Sequence, residues 1–183
     1  MNKRTIYDKS LKPRSEMNLS TFSFLFSEII NYYLTSKTLD IEADLMSLGE
    51  SIGPRVLELV NMREKNFKRE KKHLEMIKFV AYQVWKTLFG KGIDNIERLS
   101  HSASSYLLIE NSPIVLRYIP ESSDKKNPTC AVFVGGIIKG ILDAADFPAK
   151  IEVQSPPNDG RSVYPKTVYI VEFEDFVIQR EKE

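Results

Sequence analysis

Residues 130–145 read CAVFVGGIIKGILDAA, and no other stretch constrains the fold as strongly. Only Lys139 and Asp143 are charged, so a helix here is apolar around most of its circumference and must be buried. Gly135, Gly136 and Gly140 lower its helix propensity but let a neighbour approach closely. Its longest apolar run, Ala131–Ile138, falls far short of the roughly 18 residues that cross a bilayer. The helix must therefore be covered by the rest of the chain, and 183 residues are enough for one domain with a sizeable core.

The covering elements can be read from their periodicity. Over about Leu19–Leu34, Phe22, Leu25, Phe26, Ile29, Ile30 and Tyr33 recur at helical spacing. Tyr32 and Leu34 widen that apolar arc to roughly 200°, so the helix is either central in a core or shared with a partner. A second helix over about Asp40–Met62 carries Ile41, Leu45, Leu48, Ile52, Val56, Leu59 and Val60 on one face. Pro54 predicts a kink or break near Ser51–Pro54, while Gly49 and Gly53, one turn apart, allow another backbone to come close. A third helix is read over the block 68–91, KREKKHLEMIKFVAYQVWKTLFGK. It starts cationic, places Leu74, Ile77, Ala81, Val84, Trp85 and Leu88 on one face, and stops at Gly90. Lys91 follows, beside the negative end of the helix dipole.

Beyond Gly92 the texture changes. Ser105–Ile109, Val115–Ile119, Ala149–Val153 and Thr167–Phe173 read as strands. Glu121–Pro128 and QSPPNDGRSVYPK read as loops. Helices first, then strands around one buried helix, give an α+β chain, not the alternation of a parallel sheet.

Chemistry is sparse. His73 and His101 have no companion ligands at metal-binding spacing. Cys130 begins the apolar helix and reads as a small buried thiol; a lone cysteine cannot form an internal disulfide and fits a reducing compartment. Gly135–Gly136 lack a phosphate-loop framework. Glu172, Glu174 and Asp175 read as a solvated face. A net charge of +1 gives no overall pull toward nucleic acid. What stands out is the basic run Arg63, Lys65, Lys68, Arg69, Lys71 and Lys72, read as a solvated helix start or as a patch for an anionic membrane or acidic partner.

Several blocks match one family in order. They are LKPRSEMNLSTFSFLFSEII at 11–30, LGESIGPRVLELVNMREK at 48–65 and VWKTLFGK at 84–91, then CAVFVGGIIKGIL at 130–142, FPAKIEV at 147–153 and FEDFVIQRE at 173–181. Together they resemble the arm, the first three helices, the last helix and the closing strands of the TRAPP (transport protein particle) complex subunit 5 family. The resemblance implies an α+β fold with helices packed on one face of a twisted antiparallel sheet, the TRAPP small-subunit α/β plait. It divides the chain into a flexible N-terminal arm, 1–17, and a single domain, 18–183.

It further implies a structural, non-enzymatic subunit without cofactor, in a vesicle-tethering complex that acts as a guanine-nucleotide exchange factor for a Rab1-type GTPase in transport from endoplasmic reticulum to Golgi. The implied partners are other small TRAPP subunits, a core paralogue and a longin-fold subunit. The GTPase is engaged only through the assembled complex, and nucleic acid is not a partner. The implied location is cytoplasmic, peripheral at Golgi and endoplasmic reticulum membranes. The expected partner interface is Phe22, Phe26, Ile29, Tyr32 and Tyr33; the expected membrane or acidic-partner patch is Lys68, Arg69, Lys71 and Lys72. The alternative is a lipid- or small-ligand-binding module of the same fold. A related subunit carries an acyl chain on a cysteine at the start of its third helix; here the matching position is Glu70, so no acyl-cysteine is expected.

Overall fold

The computed structural model describes residues 17–36, 40–63, 69–99, 104–119, 129–156 and 166–181. The apolar stretch forms helix α5 (Val132–Ala144), buried along nearly its whole length. One side of it lies on the sheet, where a Cβ added to Gly135 would come 2.6 Å from a Val153 methyl carbon. The other side meets helix α2 (Ile41–Arg63). There Gly49 and Gly53 face Gly136 and Gly140, so tightly that a Cβ on Gly53 would stand 2.6 Å from the Gly140 carbonyl carbon.

This seam explains how α2 runs unbroken through Pro54, where the sequence predicts a kink or break. Proline leaves the Glu50 carbonyl without its usual i+4 donor. That carbonyl lies against the backbone of Gly140, where a weak Cα–H···O contact replaces part of what is lost. Lys139 adds an ion pair to the Glu50 side chain at 2.7 Å.

Four strands form one antiparallel sheet in the order β1-β2-β4-β3: β1 (Asn95–Arg98), β2 (Ser105–Glu110), β3 (Ala149–Gln154) and β4 (Thr167–Phe173). Tyr106 and Leu108 pair with Val171 and Tyr169, and Ile151 with Val171, so one face carries a continuous apolar layer under the helices. The architecture is α+β, as expected. Helix α1 (Leu19–Thr35) packs outside this assembly.

The third helix differs from its sequence reading. It begins at His73 as α3 (His73–Lys78), widens to a π-helical stretch (Phe79–Val84) and ends as α4 (Trp85–Phe89). Arg69, Lys71 and Lys72 precede it and are not part of its first turn; Lys68 lies outside the described residues. The wide turns rotate α3 relative to α4, so Met76 and Ile77 face the core while Leu74 is exposed. Gly90 does cap the end in the left-handed region, at φ 74°.

Three further expectations are corrected. Val115–Ile119 is not a strand: after Pro113, Ile114–Leu116 coil into a single 3-10 turn closed by Arg117 N–H on the Ile114 carbonyl. The segment 173–181 does not end as a strand; α6 (Asp175–Arg180) forms there because the turn buries Val177 completely. Strand β1 escapes the sequence reading because its residues are Asn-Ile-Glu-Arg and only Ile96 is substantially covered. The N-terminal arm, His101 and the loop at 121–128 lie outside the described residues.

Candidate functional site

Helix α1 begins at Asn18, whose side chain accepts from Ser20 N–H at 3.0 Å. It is attached through Phe26, only 1% exposed and 5.1 Å from the Phe133 ring, and through Ile30. Phe26 is therefore a core residue and is not offered to a partner. The other expected interface residues lie differently. Phe22, Ile29 and Tyr33 are half-buried, and Tyr32 is 65% exposed, its ring edge-on to Tyr33 at 5.7 Å. Leu25, more than half exposed, joins them. Phe22, Leu25, Ile29 and Tyr32 fall at i, i+3, i+7 and i+10, one stripe beside the core-facing one. Leu25 was legible in the apolar periodicity; what periodicity does not tell is which flank of a wide arc stays outside. On α2, Leu59 and Met62 are also exposed.

The segment before α3 borders a cleft of about 330 Å³, walled by Leu57, Met76, Phe79 and Phe147, with Arg69, Glu70 and Asp146 among its lining residues. Asp146 takes the left-handed C-terminal position after α5, at φ 67°. Its carboxylate accepts from Arg180 at 2.7 Å and pairs with Arg69 at 3.6 Å. Arg180 also lies over the Phe147 ring at 4.8 Å. Glu181, just past α6, accepts from both the backbone N–H of His73 and its ring Nδ1. It supplies the cap that Lys72 does not, from the far end of the chain. Lys71 and Lys72 are exposed. This basic segment and the α1 stripe belong to different elements, and the structure does not merge them into one site.

Cys130 is buried, and burial pushes its thiol up to about 11, with the nearby Glu42 carboxylate adding to the shift. It precedes α5, whereas the cleft lies past the other end of that helix, about 20 Å away at 1.5 Å per residue. Among the described residues no group of three His, Cys, Asp or Glu side chains is placed to hold a metal, and no helix is long and apolar enough to cross a membrane.

Sequence reasoning did not single out Glu110, which is 1% exposed at the end of β2. Burial raises its carboxyl above the usual range, while Lys91 and the Trp85 indole N–H oppose that shift. Lys91 Nζ stands 3.4 Å from Glu110 Oε1, and also reaches the Ser112 carbonyl at 3.3 Å and Asp94 at 3.7 Å. Such a group is hard to foresee, because a Glu at a strand end ordinarily faces water.

Residues 22–174 match the family described as transport protein particle (TRAPP) component. The chain is 40% identical over 178 residues to trafficking protein particle complex subunit 5 of Dictyostelium discoideum, covering 96% of this chain and 95% of that one. To the human subunit of the same name it is 32% identical, covering 98% and 93%. To subunit 31 of Saccharomyces cerevisiae it is 28% identical, covering 96% and 83%. In fold it is similar, with a TM-score of 0.73 over 86% of this chain and 96% of the other, to a Naegleria fowleri trafficking protein particle complex subunit 3 covalently bound to palmitic acid. At 14% identity that likeness speaks for the fold alone.

Proposed function

The chain belongs to the transport protein particle (TRAPP) component family, and from that premise we propose that it is a structural subunit of the TRAPP vesicle-tethering complex, joined to its neighbours through the outer flank of α1. The observation that carries the reading is the stripe Phe22, Leu25, Ile29 and Tyr32, half-buried at Phe22 and Ile29 and exposed at Leu25 and Tyr32, on a helix whose buried side chains are Phe26 and Ile30. Apolar surface of that kind, edged by the aromatic Tyr32, suits a protein partner. The partners assigned are other small TRAPP subunits, a core paralogue and a longin-fold subunit, with residues 18–183 acting as one domain and 1–17 as an arm. Co-expression with such a subunit, followed by size-exclusion chromatography, tests it: a complex that survives Tyr32→Asp unchanged removes α1 from the interface.

In this reading, guanine-nucleotide exchange on a Rab1-type GTPase belongs to the assembled complex, in transport between endoplasmic reticulum and Golgi. The chain sits in the cytoplasm, peripheral to those membranes. The purified chain alone should leave the rate of nucleotide release unchanged; acceleration at catalytic amounts would overturn the assignment. Arg69, Lys71 and Lys72, with Lys68, are assigned to an anionic membrane or acidic partner.

A second reading, a module for a lipid or small ligand, rests on the cleft beside Met76 and Phe147. Glu70 stands there, and no thiol, so any occupant is held without a thioester. Intact mass before and after neutral hydroxylamine should show no loss of an acyl group, and native mass spectrometry decides whether a lipid is retained.

A further inference from the structure

The face of the sheet turned away from the helices departs from the usual alternation. An antiparallel sheet with one face in water ordinarily carries polar residues on that face. Tyr106, Leu108, Tyr169 and Val171 take the helix side, so Leu107, Ile109, Val168 and Ile170 take the other. None of these last four belongs to the hydrophobic core. Leu107 stands opposite Ile170 and Ile109 opposite Val168, which makes an apolar square on the two inner strands. Ile109 is nearly hidden, and the other three are half-buried.

The edge strands flank this square with carboxylates. Glu97 on β1 stands opposite Leu107, and Glu152 on β3 opposite Ile170, so one rung across the sheet reads Glu97, Leu107, Ile170, Glu152. Three strand spacings separate the two carboxylates, about 14 Å. Both are exposed, and each is steadied by an amide two residues away on its own strand. Asn95 Nδ2 donates to Glu97 at 2.7 Å, and Gln154 Nε2 donates to Glu152 at 2.9 Å. Among the described residues neither carboxylate is paired with a cation. On the neighbouring rung Lys150 stands opposite Glu172 and offsets it, so the charge of Glu97 and Glu152 is left over.

That pattern selects its complement. Opposed potentials favour a partner with basic groups where this face is acidic. An anionic bilayer is repelled by the same carboxylates, and a second copy of the chain would set carboxylate against carboxylate. We propose that this face docks a neighbouring protein subunit through an apolar stripe flanked on both sides by lysine or arginine, spaced to reach Glu97 and Glu152. Helix α1 packs outside α2 and α5, on the opposite side of the sheet, so the chain holds one neighbour on each side and links them. The inference rests on the chain being a TRAPP subunit and adds a second interface to the one on α1.

Carbodiimide coupling of an amine to carboxylates, read by peptide mass spectrometry, tests it. In the isolated chain Glu97 and Glu152 should label as exposed carboxylates do. In the purified assembled complex their labelling should fall severalfold. Without the added amine, the same reagent should join them to lysines of one neighbouring subunit where that subunit's basic groups are lysines. Glu97→Lys combined with Glu152→Lys should weaken that neighbour's binding about tenfold at 0.1 M salt and leave the partner on α1 in place. Ile170→Thr keeps a β-branched side chain and should weaken the same neighbour through the apolar square. Equal labelling in the free and assembled chain would sink the proposal. So would protection already present in the isolated chain, which would mean that the chain itself or a second copy covers the face, and so would protection that appears only with liposomes. A wild-type chain that does not enter the complex removes the subunit reading as well, so the two failures are told apart.

Discussion

Helices α1 and α2 are both amphipathic, yet they are joined to the domain in opposite ways. Along α2, backbone meets backbone: Gly49 and Gly53 sit on Gly136 and Gly140, and no side chain separates the two helices there. Along α1 the attachment is made by side chains, the buried Phe26 and Ile30 with the half-buried Phe22, Ile29 and Tyr33 packed beside them, while Leu25 and Tyr32 turn outward. Apolar content does not distinguish the two, since α1 is the richer in aromatics. What does is distance of approach: a glycine seam seals a face completely, whereas a helix seated on bulky rings leaves a flank over. The sealed seam serves stability and the left-over flank is the surface proposed for association, and substitutions can pull those two roles apart.

The largest effect is expected in the seam. A Cβ on Gly136 would overlap the Met46 carbonyl, a main-chain group that cannot rotate away. Gly136→Ala should therefore cost about 3 kcal/mol, enough to lower the melting temperature by on the order of 10 °C. Ser27→Ala, on an exposed position of α1, should stay within about 0.5 kcal/mol of wild type. Circular dichroism melts of both would show whether the contrast is real; equal stability of the two variants would abolish it.

The sealed side also predicts a pH dependence. Burial raises the Cys130 thiol from 9.0 to about 11, so the fold favours the neutral form more than the unfolded chain does. Its contribution is complete below pH 9 and is lost as pH rises from 9 to 11, by at most about 3 kcal/mol at 1.36 kcal/mol per pKa unit. Other groups titrate in that range, so the test is a difference. Denaturant unfolding at pH 8 and pH 11 should show a smaller loss for Cys130→Ala than for wild type.

Most of this division was legible in the sequence, though not its sign. The burial of α5 followed from a run with almost no polar residue, and the seam from glycines one turn apart on two helices. The width of the α1 arc signalled surplus apolar surface, but the same pattern put Phe26 among interface residues, because a helical wheel cannot tell the seated flank from the free one. The start of the third helix was missed for a physical reason. Lysines and glutamates tolerate helix and coil almost equally, and the chain begins α3 where Glu181 caps His73, a contact spanning most of the sequence. Glu110 was missed because its burial depends on β4 and α4 closing over it.

The free flank is tested next. Tyr32→Asp should leave the melting temperature of the isolated chain nearly unchanged, since the side chain is mostly in water already. Binding to a small TRAPP partner should weaken by about 2 kcal/mol, roughly 30-fold. Calorimetric titration measures it. A loss of stability as large as the loss of binding would show that the flank is part of the domain's own packing.

The smallest effect belongs to the basic segment, a third kind of surface that is neither sealed nor apolar. Lys71 and Lys72 are exposed and precede the first turn of α3, so they gain nothing from burial and act only through charge. Near an anionic membrane each basic residue contributes about 1 kcal/mol. Lys72→Gln in the assembled complex should therefore weaken binding to phosphatidylserine-containing liposomes about fivefold at 0.1 M salt, where the Debye length is about 10 Å. At about 1 M salt that length falls to about 3 Å, and variant and wild type should bind alike. Co-sedimentation at the two salt concentrations separates the cases. A difference that persists at high salt would mean a contact other than charge, and identical binding at low salt would leave the segment as a solvated connection between α2 and α3.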